Sequence, residues 1–243
     1  MNKEQMKILG IDASGLAASA AIVDGNTLLG EITTNCKRNH SETLMPMVAE
    51  LFERLDMCIG DIDYIACTNG PGSFTGLRIG AATAMSLAHG LCDLKGHNRS
   101  DREKHNHKKV IPVPTLDVLA YNLYEYGGIV APMMDARRGQ VYTAFYDGGT
   151  TRLTDYMAIS PDELLALLSA YDRPAIFLGD GAAAHADRIT NLAPPHLSLQ
   201  RASAAAALGW QRTDEAVAHD KFELFYLRKP QAEREYLERT APK

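Results

Sequence analysis

The sequence has little cysteine and no long hydrophobic run. Its four cysteines, Cys36, Cys58, Cys67 and Cys92, show no C-x-x-C spacing, which argues against structural zinc or disulfides and favours reduced thiols. No stretch has the length and apolar content of a membrane span. The first residues also lack the pattern of a signal peptide. These absences predict a cytoplasmic protein without a membrane partner.

A large excess of charge of one sign is absent too. The 243 residues include 25 Lys and Arg against 30 Asp and Glu, a formal net charge of -5, so the surface as a whole does not suit nucleic acid or an anionic membrane. Catalytic signatures are also lacking: there is no G-x-S-x-G elbow, no H-E-x-x-H and no Cys and His placed on adjacent elements. We therefore expect no catalytic residue and no metal site in this chain.

The most informative stretch runs from Ile62 to Leu91. It reads as a strand (Ile62 to Thr68), a glycine-rich turn and a long helix from Leu77. The turn has G-x-G-x-x-x-G spacing and no P-loop lysine follows it, so a structural hinge is favoured over a phosphate cradle. Small residues recur every four positions along the helix and permit close approach by another helix.

A second amphipathic helix is predicted over Leu44 to Leu55, because its apolar positions follow the i, i+3, i+4, i+7 pattern. Pro46 would lie in the first turn of this helix if Thr43 is the N-cap. The helix of residues 77–91 is apolar nearly all round, so both its own sheet and a second helix or partner should cover it. The predicted partner surface comprises Leu44, Met47, Val48, Leu51, Gly76, Gly80, Thr83, Ala84, Leu87 and Ala88.

The predicted order of elements occurs twice, which indicates two related α/β lobes, residues 1–113 and 114–243. The last helix is expected to pack back on the first lobe. The polar residues 93–109 predict a mobile surface loop, whose Lys and Arg side chains leave weak RNA contacts open. Second-lobe elements are predicted at Leu116 to Tyr126 (helix), Ile129 to Asp135, Gln140 to Tyr146, Thr151 to Ile159 and Ala175 to Leu178 (strands), Gly179 to Gly181 (turn) and Ser203 to Val217 (helix).

The first strand of each predicted lobe ends on an aspartate, Asp12 or Asp135. Facing each other across a cleft, the two turns could hold nucleotide phosphates with Mg²⁺. That use requires a glycine two residues later, where Ser14 and Arg137 stand instead, so closure of tight turns is favoured. The pair Arg137 and Arg138 either binds an anion or pairs with a nearby carboxylate, and both alternatives stay open.

Five motifs together resemble the bacterial TsaB family, over nearly the whole chain. The most specific is Gly70-Pro71-Gly72-Ser73-Phe74-Thr75-Gly76-Leu77-Arg78-Ile79-Gly80. The supporting motifs are Ile8-Leu9-Gly10-Ile11-Asp12-Ala13-Ser14, His40-Ser41-Glu42 with Leu44 and Pro46, Asp135-Ala136-Arg137-Arg138 with Val141-Tyr142, and Tyr226-Leu227-Arg228.

The resemblance implies a duplicated actin-like α/β fold (ASKHA, ribonuclease H-like) and a role in forming threonylcarbamoyladenosine beside the tRNA anticodon. It also implies a non-catalytic scaffold that binds the catalytic homologue TsaD in a complex that includes the ATPase TsaE. This complex uses ATP and Mg²⁺. Without TsaD, the same surface is expected to form a homodimer, and tRNA is expected to be contacted indirectly or weakly.

The chain departs from TsaD-type proteins at Pro114-Thr115-Leu116-Asp117, where their metal-binding histidines are absent. The resemblance therefore implies that this chain lacks the metal and the transfer chemistry. Its loop 93–109 also looks longer than the family's usual link. A nucleotide-binding or nucleotide-hydrolysing ASKHA enzyme is the alternative function, and a metal-dependent peptidase is a more distant one.

Overall fold

The computed structural model describes residues 6–36, 39–95 and 108–228. The first part contains β1 (Lys7–Asp12), β2 (Ala18–Asp24), β3 (Thr27–Thr34), α1 (His40–Arg54), β4 (Tyr64–Gly70), α2 (Phe74–Lys95) and β5 (Lys108–Pro114). The second part contains α3 (Thr115–Tyr121), β6 (Ile129–Asp135), β7 (Val141–Thr143), β8 (Tyr146–Asp147), β9 (Thr151–Arg152), β10 (Met157–Ile159), α4 (Pro161–Leu168), β11 (Ala175–Leu178), α5 (Asp180–Ala184), α6 (Ala202–Gln211) and β12 (Val217–Ala218). Single 3₁₀ turns occupy Ile59–Asp61, Pro195–Leu197, Thr213–Glu215 and His219–Lys221.

The two sheets repeat one pairing pattern. The first sheet has the order β12-β5-β4-β1-β2-β3, in which β1 pairs antiparallel with β2 and parallel with β4. The second sheet has the order β10-β7-β6-β8-β9, and β6 pairs antiparallel with β7 and parallel with β11. Strands β1 and β6 therefore occupy matching positions, and each ends on an aspartate, Asp12 or Asp135.

Helices cover both faces of the first sheet. Helices α1 and α2 enclose a core with β1, β2 and β4, in which Leu9, Ile65 and Leu91 are fully buried. Helix α6, although late in the chain, packs on the opposite face against β1 and β2. Helix α3 contacts β4, β6 and α6, so it joins the two lobes.

Helix α1 begins four residues earlier than predicted. Asn39 adopts the extended N-cap conformation and its carbonyl accepts a hydrogen bond from the N–H of Glu42 at 3.0 Å. Pro46 consequently lies inside the helix and not in its first turn. Its ring is on the solvent-exposed side, where loss of a backbone donor is least costly because water can replace it.

The predicted strands Gln140 to Tyr146 and Thr151 to Ile159 are each divided into two short strands. Between β7 and β8, Phe145 bonds locally: its N–H donates to Thr154 Oγ1 at 3.0 Å and its carbonyl accepts from Leu153 N–H at 2.7 Å. This local pairing interrupts the ladder to β6.

Several other boundaries also differ from the sequence prediction. Gly179 to Gly181 is not a plain turn, because α5 starts at Asp180. The predicted helices Leu116 to Tyr126 and Ser203 to Val217 end early, at Tyr121 and Gln211. In the predicted loop 93–109, residues 93–95 belong to α2 and 108–109 to β5, and residues 96–107 lie outside the described residues.

Candidate functional site

The glycine-rich turn packs backbone against backbone on the turn that follows β1. The N–H of Ser73 donates to the carbonyl of Ser14 at 2.7 Å, and Ser73 Oγ accepts from the N–H of Gly76 at 3.3 Å. A Cβ atom at Gly76 would overlap the carbonyl oxygen of Ala13 and lie 3.2 Å from its carbonyl carbon. The glycine therefore allows α2 to start directly against β1, which sets the direction of the helix.

Eight of the ten predicted partner-surface residues lie inside the chain. Leu44, Met47, Val48, Leu51, Gly76, Gly80, Ala84 and Ala88 are buried. The small-residue stripe of α2 packs on the chain's own sheet, as the neighbours of Gly80 show: a Cβ there would be 3.7 Å from both Ala13 Cβ and Cys67 Sγ. These eight cannot form a partner surface themselves. The other two predicted residues, Thr83 and Leu87, are half-buried.

The solvent-facing sides of α1 and α2 lie on one side of the first lobe. Small or apolar residues are exposed on both helices, including Met45 and Ala49 on α1 and Ala82 on α2. Beside α2 runs a groove of about 500 Å³. It is lined by Arg78, Ala81, Ala82 and Met85 of α2. Its other side is formed by Phe222, Glu223, Leu224 and Tyr226, which follow β12 late in the chain. We refer to the exposed sides of α1 and α2 together with this groove as the outer helix face.

The segment of residues 222–228, here called the strap, connects both lobes. The N–H of Phe225 donates to the carbonyl of Asn69 at 2.7 Å, and Tyr226 packs on Phe74 with ring centroids 5.4 Å apart. Farther along, Arg228 Nη1 donates to the carbonyl of Ala136 at 3.1 Å. The strap separates the outer helix face from a second concave site, the cleft between the lobes.

The interlobe cleft has a volume of about 720 Å³. It is lined from the first lobe by the β1–β2 turn and the glycine-rich turn, from the second lobe by the β6–β7 turn, and by the strap. Three of the four predicted phosphate-turn residues, Ser14, Asp135 and Arg137, line it. The fourth, Asp12, is buried beneath the cleft.

Asp12 closes its own turn. Its Oδ1 accepts a hydrogen bond from Ser14 Oγ at 2.6 Å, while Oδ2 has no partner among the described residues. Burial raises the pKa of the Asp12 carboxyl, although the Ser14 hydrogen bond opposes the shift. This geometry agrees with the prediction that Asp12 closes a tight turn.

The aspartates of the second lobe also have partners. Asp135 Oδ1 accepts from the N–H of Arg137 at 2.7 Å, and its Oδ2 pairs with the Arg137 guanidinium at 3.1 Å. Asp180 Oδ1 accepts from the N–H groups of Asp135 at 3.1 Å and Gly181 at 2.9 Å. Burial raises the pKa of Asp180. Carboxylate pairing is therefore what the structure shows for Arg137.

No sequence pattern predicted a role for Asp180 or for the strap. Asp180 looked like part of a turn, and Tyr226 to Arg228 appeared only as a family motif. Within residues 6–36, 39–95 and 108–228, no group of three or more His, Cys, Asp or Glu side chains is placed to hold a metal. The same ranges contain no helix with the length and apolar character needed to cross a membrane.

The chain is similar in sequence to proteins of known families. A family model described as TsaD, tRNA N6-adenosine threonylcarbamoyltransferase, matches residues 27–94. The Bacillus subtilis (strain 168) protein named tRNA threonylcarbamoyladenosine biosynthesis protein TsaB is 34% identical over 190 residues, which cover 77% of this chain and 76% of that protein. The Escherichia coli (strain K12) protein of the same name is 33% identical over 58% of this chain, and the match spans about half (55%) of that relative.

Two solved structures from Pseudomonas aeruginosa have a similar fold. One, described as an uncharacterized protein with similarity to peptidase YEAZ, has a TM-score of 0.74 and 26% identity, and the other, YeaZ, has a TM-score of 0.73 and 24% identity. Each match covers 92% of this chain and 100% of the other. Together with the family model, these likenesses confirm the predicted α/β fold of the actin-like class.

Proposed function

The chain belongs to the TsaB family of tRNA threonylcarbamoyladenosine biosynthesis proteins, and from this membership we propose that it takes part in forming threonylcarbamoyladenosine in tRNA as a non-catalytic subunit. In this proposal the chain binds and supports the catalytic subunit TsaD through the outer helix face, in a complex that also includes TsaE. The observation that carries the proposal is a set of exposed small and apolar side chains, lying among charged ones, on the part of the chain that resembles TsaD.

The TsaD-like region contains the helix layer. Residues 27–94 include β3, α1, β4 and nearly all of α2. If TsaD presents a related helix pair, the two layers can meet about a pseudo-twofold axis, as like surfaces do in symmetric dimers. By the same contact between like surfaces, this chain can form a homodimer when TsaD is absent.

The outer helix face has the composition of a helix-binding surface. The exposed Ala82 and Ala49 permit close approach of a second backbone, and Met45, with 43% of its surface exposed, offers a flexible apolar contact. The adjacent groove beside Met85 can accept an apolar helix edge, as in helix-in-groove recognition. The inner stripe of α2 contributes indirectly, by holding the helix against the sheet.

The chemistry of the cleft supports a non-catalytic role. Asp12 lies beneath its surface, Asp135 pairs with Arg137, and Asp180 accepts from two backbone N–H groups. An Mg²⁺-nucleotide site needs carboxylates that are available to the ion or its water shell. We therefore assign no cofactor to this chain, and we place the ATP and Mg²⁺ used by the complex on its partners.

The test introduces a charge on the outer helix face without disturbing the core. Ala82→Glu puts a carboxylate on the exposed side of α2, where it must be desolvated if a partner covers it. Ala166→Glu makes the same change on the exposed side of α4, in the second lobe. Charged substitutions at the buried Gly80 or Ala84 would not serve, because they would disrupt folding before any interface is tested.

Tagged variants are co-purified with TsaD, and folding is checked by thermal unfolding. We expect Ala82→Glu to lose TsaD while Ala166→Glu retains it. Full retention of TsaD by a folded Ala82→Glu variant would refute the outer helix face as the binding surface.

A further inference from the structure

The strap forms one wall of the groove in the outer helix face, and its residues 222–228 have no regular secondary structure. A backbone hydrogen bond from the N–H of Phe225 to the carbonyl of Asn69, at 2.7 Å, fastens the strap to the first lobe. A segment outside helices and sheets opens more easily than they do. The position of this wall therefore depends strongly on the side-chain contacts of the strap.

Neighbouring side chains of the strap face different sites. Leu224 and Tyr226 line the groove beside α2, whereas Phe225 between them lines the interlobe cleft. There the Phe225 ring packs on Tyr156 of the second lobe, with ring centroids 5.6 Å apart and an interplanar angle of 49°. One wall of the groove is therefore seated on the second lobe, although the groove itself lies on the first.

Gly70 lets the strap lie directly on the glycine-rich turn. Its φ is 124°, and a Cβ there would overlap the carbonyl oxygen of Phe225 and lie 3.2 Å from the carbonyl carbon of Phe225. The first lobe thus holds the backbone of Phe225, and the second lobe holds its ring. Phe225 is therefore the strap residue through which the second lobe can set the position of the groove wall.

Two contacts fix the Tyr156 ring on which Phe225 packs. The Tyr156 hydroxyl donates to Asp117 Oδ1 at 2.7 Å, and the Arg152 guanidinium lies 4.1 Å from the ring centroid. Burial, together with the nearby Asp117 carboxylate, raises the pKa of Tyr156, so the hydroxyl stays protonated and continues to donate. Asp117 Oδ2 in turn accepts from Arg212, directly after α6, at 2.7 Å. The ring is therefore anchored to elements of both lobes.

We propose that Tyr156 is a positioning residue for the partner groove: from the second lobe it seats Phe225 and thereby holds the strap in place as the second wall of the groove. The identity of the partner, TsaD, rests on the proposed function. Tyr156 lies outside the groove lining, so it acts on partner binding through the strap. The second lobe then contributes to binding without a contact of its own at this groove.

The size of the expected effect follows from the ring contact. An aromatic pair stabilises its contact by a factor of about two to ten beyond the burial of its surface. Loss of the Tyr156 ring shifts the strap toward unseated positions by that factor, and a partner that needs the seated wall binds in proportion to the seated fraction. We expect Tyr156→Leu to speed amide hydrogen exchange of residues 222–228 about two- to tenfold and to weaken TsaD binding by up to about tenfold.

Two conservative variants separate positioning from general stability. Tyr156→Phe keeps the ring and loses the hydroxyl bond, so its strap exchange and TsaD affinity should lie between those of Tyr156→Leu and the wild type. Tyr146→Phe is the matched control, because the Tyr146 hydroxyl donates to the same Asp117 oxygen at 2.7 Å while its ring lies in the core of the second lobe. It should lower Tm as Tyr156→Phe does and leave strap exchange and TsaD affinity unchanged.

Strap exchange is measured on the chain alone by mass spectrometry, and TsaD affinity by calorimetric titration at a temperature at which every variant is folded. Strap exchange in Tyr156→Leu no faster than in Tyr146→Phe would overturn the positioning role. Faster exchange with full TsaD affinity would overturn the link between the strap and the groove. If the wild type itself does not bind TsaD, the proposed function is refuted, whereas the exchange comparison still decides whether Tyr156 positions the strap.

Discussion

A single methyl group at Gly76 should destabilise the protein. In Gly76→Ala, the new Cβ overlaps the carbonyl oxygen of Ala13 and lies 3.4 Å from Ser73 Cβ. Its main neighbour is backbone, which cannot rotate away, so the β1–β2 turn and the start of α2 must separate. Overpacking of this kind costs about 1–3 kcal/mol, and loss of the Ser73 to Ser14 hydrogen bond adds about 1 kcal/mol. The better helix propensity of alanine returns up to about 1 kcal/mol.

The expected net loss is therefore about 1–4 kcal/mol in the free energy of unfolding. Gly90→Ala, in the same helix, is the matched control, since a Cβ there meets nothing within 4 Å. That substitution should gain up to about 1 kcal/mol. Gly80→Ala should lie between them, because its neighbours at 3.7 Å are in ordinary van der Waals contact.

Thermal unfolding followed by circular dichroism measures the series. A difference of about 3 kcal/mol corresponds to a gap of roughly 10 °C in Tm for a chain of this length. We expect the order Gly90→Ala, then Gly80→Ala, then Gly76→Ala, from most to least stable. Equal Tm values for the Gly76 and Gly90 variants would show that the close approach to β1 does not require glycine.

Three further substitutions test the account elsewhere in the fold. Asp12→Asn should become more stable relative to the wild type as the pH rises from 3.8. Burial raises the folded-state pKa of this carboxyl, so its ionised form is the costly one. The free energy of unfolding measured across pH checks this, and parallel pH profiles for the two proteins would contradict it. Asp117→Asn should lower the free energy of unfolding by about 3 kcal/mol, since the carboxylate accepts from Arg212 and two tyrosine hydroxyls; urea denaturation measures the change, and a loss under about 1 kcal/mol would rule the network out as a major contributor. Glu31→Gln should cost about 1–2 kcal/mol, because this side chain caps the N-terminus of α6; Glu50→Gln, at an exposed helical ion pair, should cost at most about 0.5 kcal/mol, and equal losses would refute the cap.

Elements with a clear apolar pattern and with turn residues at their ends could be predicted from the sequence. Strand β6 occupies Ile129–Asp135 as predicted, and β11 occupies Ala175–Leu178 as predicted. Both are short apolar runs followed by turn residues. Shorter second-lobe strands could not be predicted, because their ends depend on which distant segment supplies the hydrogen bonds, as the local bonding of Phe145 shows.

Periodicity identified the apolar faces of α1 and α2 but not the surfaces that cover them. Leu44 and Ala84 face the chain's own core. The sequence could not show this, because an apolar stripe has the same pattern whether a sheet or a partner covers it. The exposed Ala82 gives no periodic signal of its own. Contacts of the strap, such as that between Phe225 and Asn69, join residues far apart in sequence and leave no local pattern.

Threonylcarbamoyladenosine in tRNA, quantified by nucleoside mass spectrometry, tests the central claim most directly. The measurement uses cells depleted of this chain and supplied with the wild type, Ala82→Glu or Ala166→Glu. We predict that depletion lowers the modified nucleoside, that the wild type and Ala166→Glu restore it, and that a folded Ala82→Glu does not. Unchanged modification after depletion, or full restoration by Ala82→Glu, would contradict a role exerted through the outer helix face.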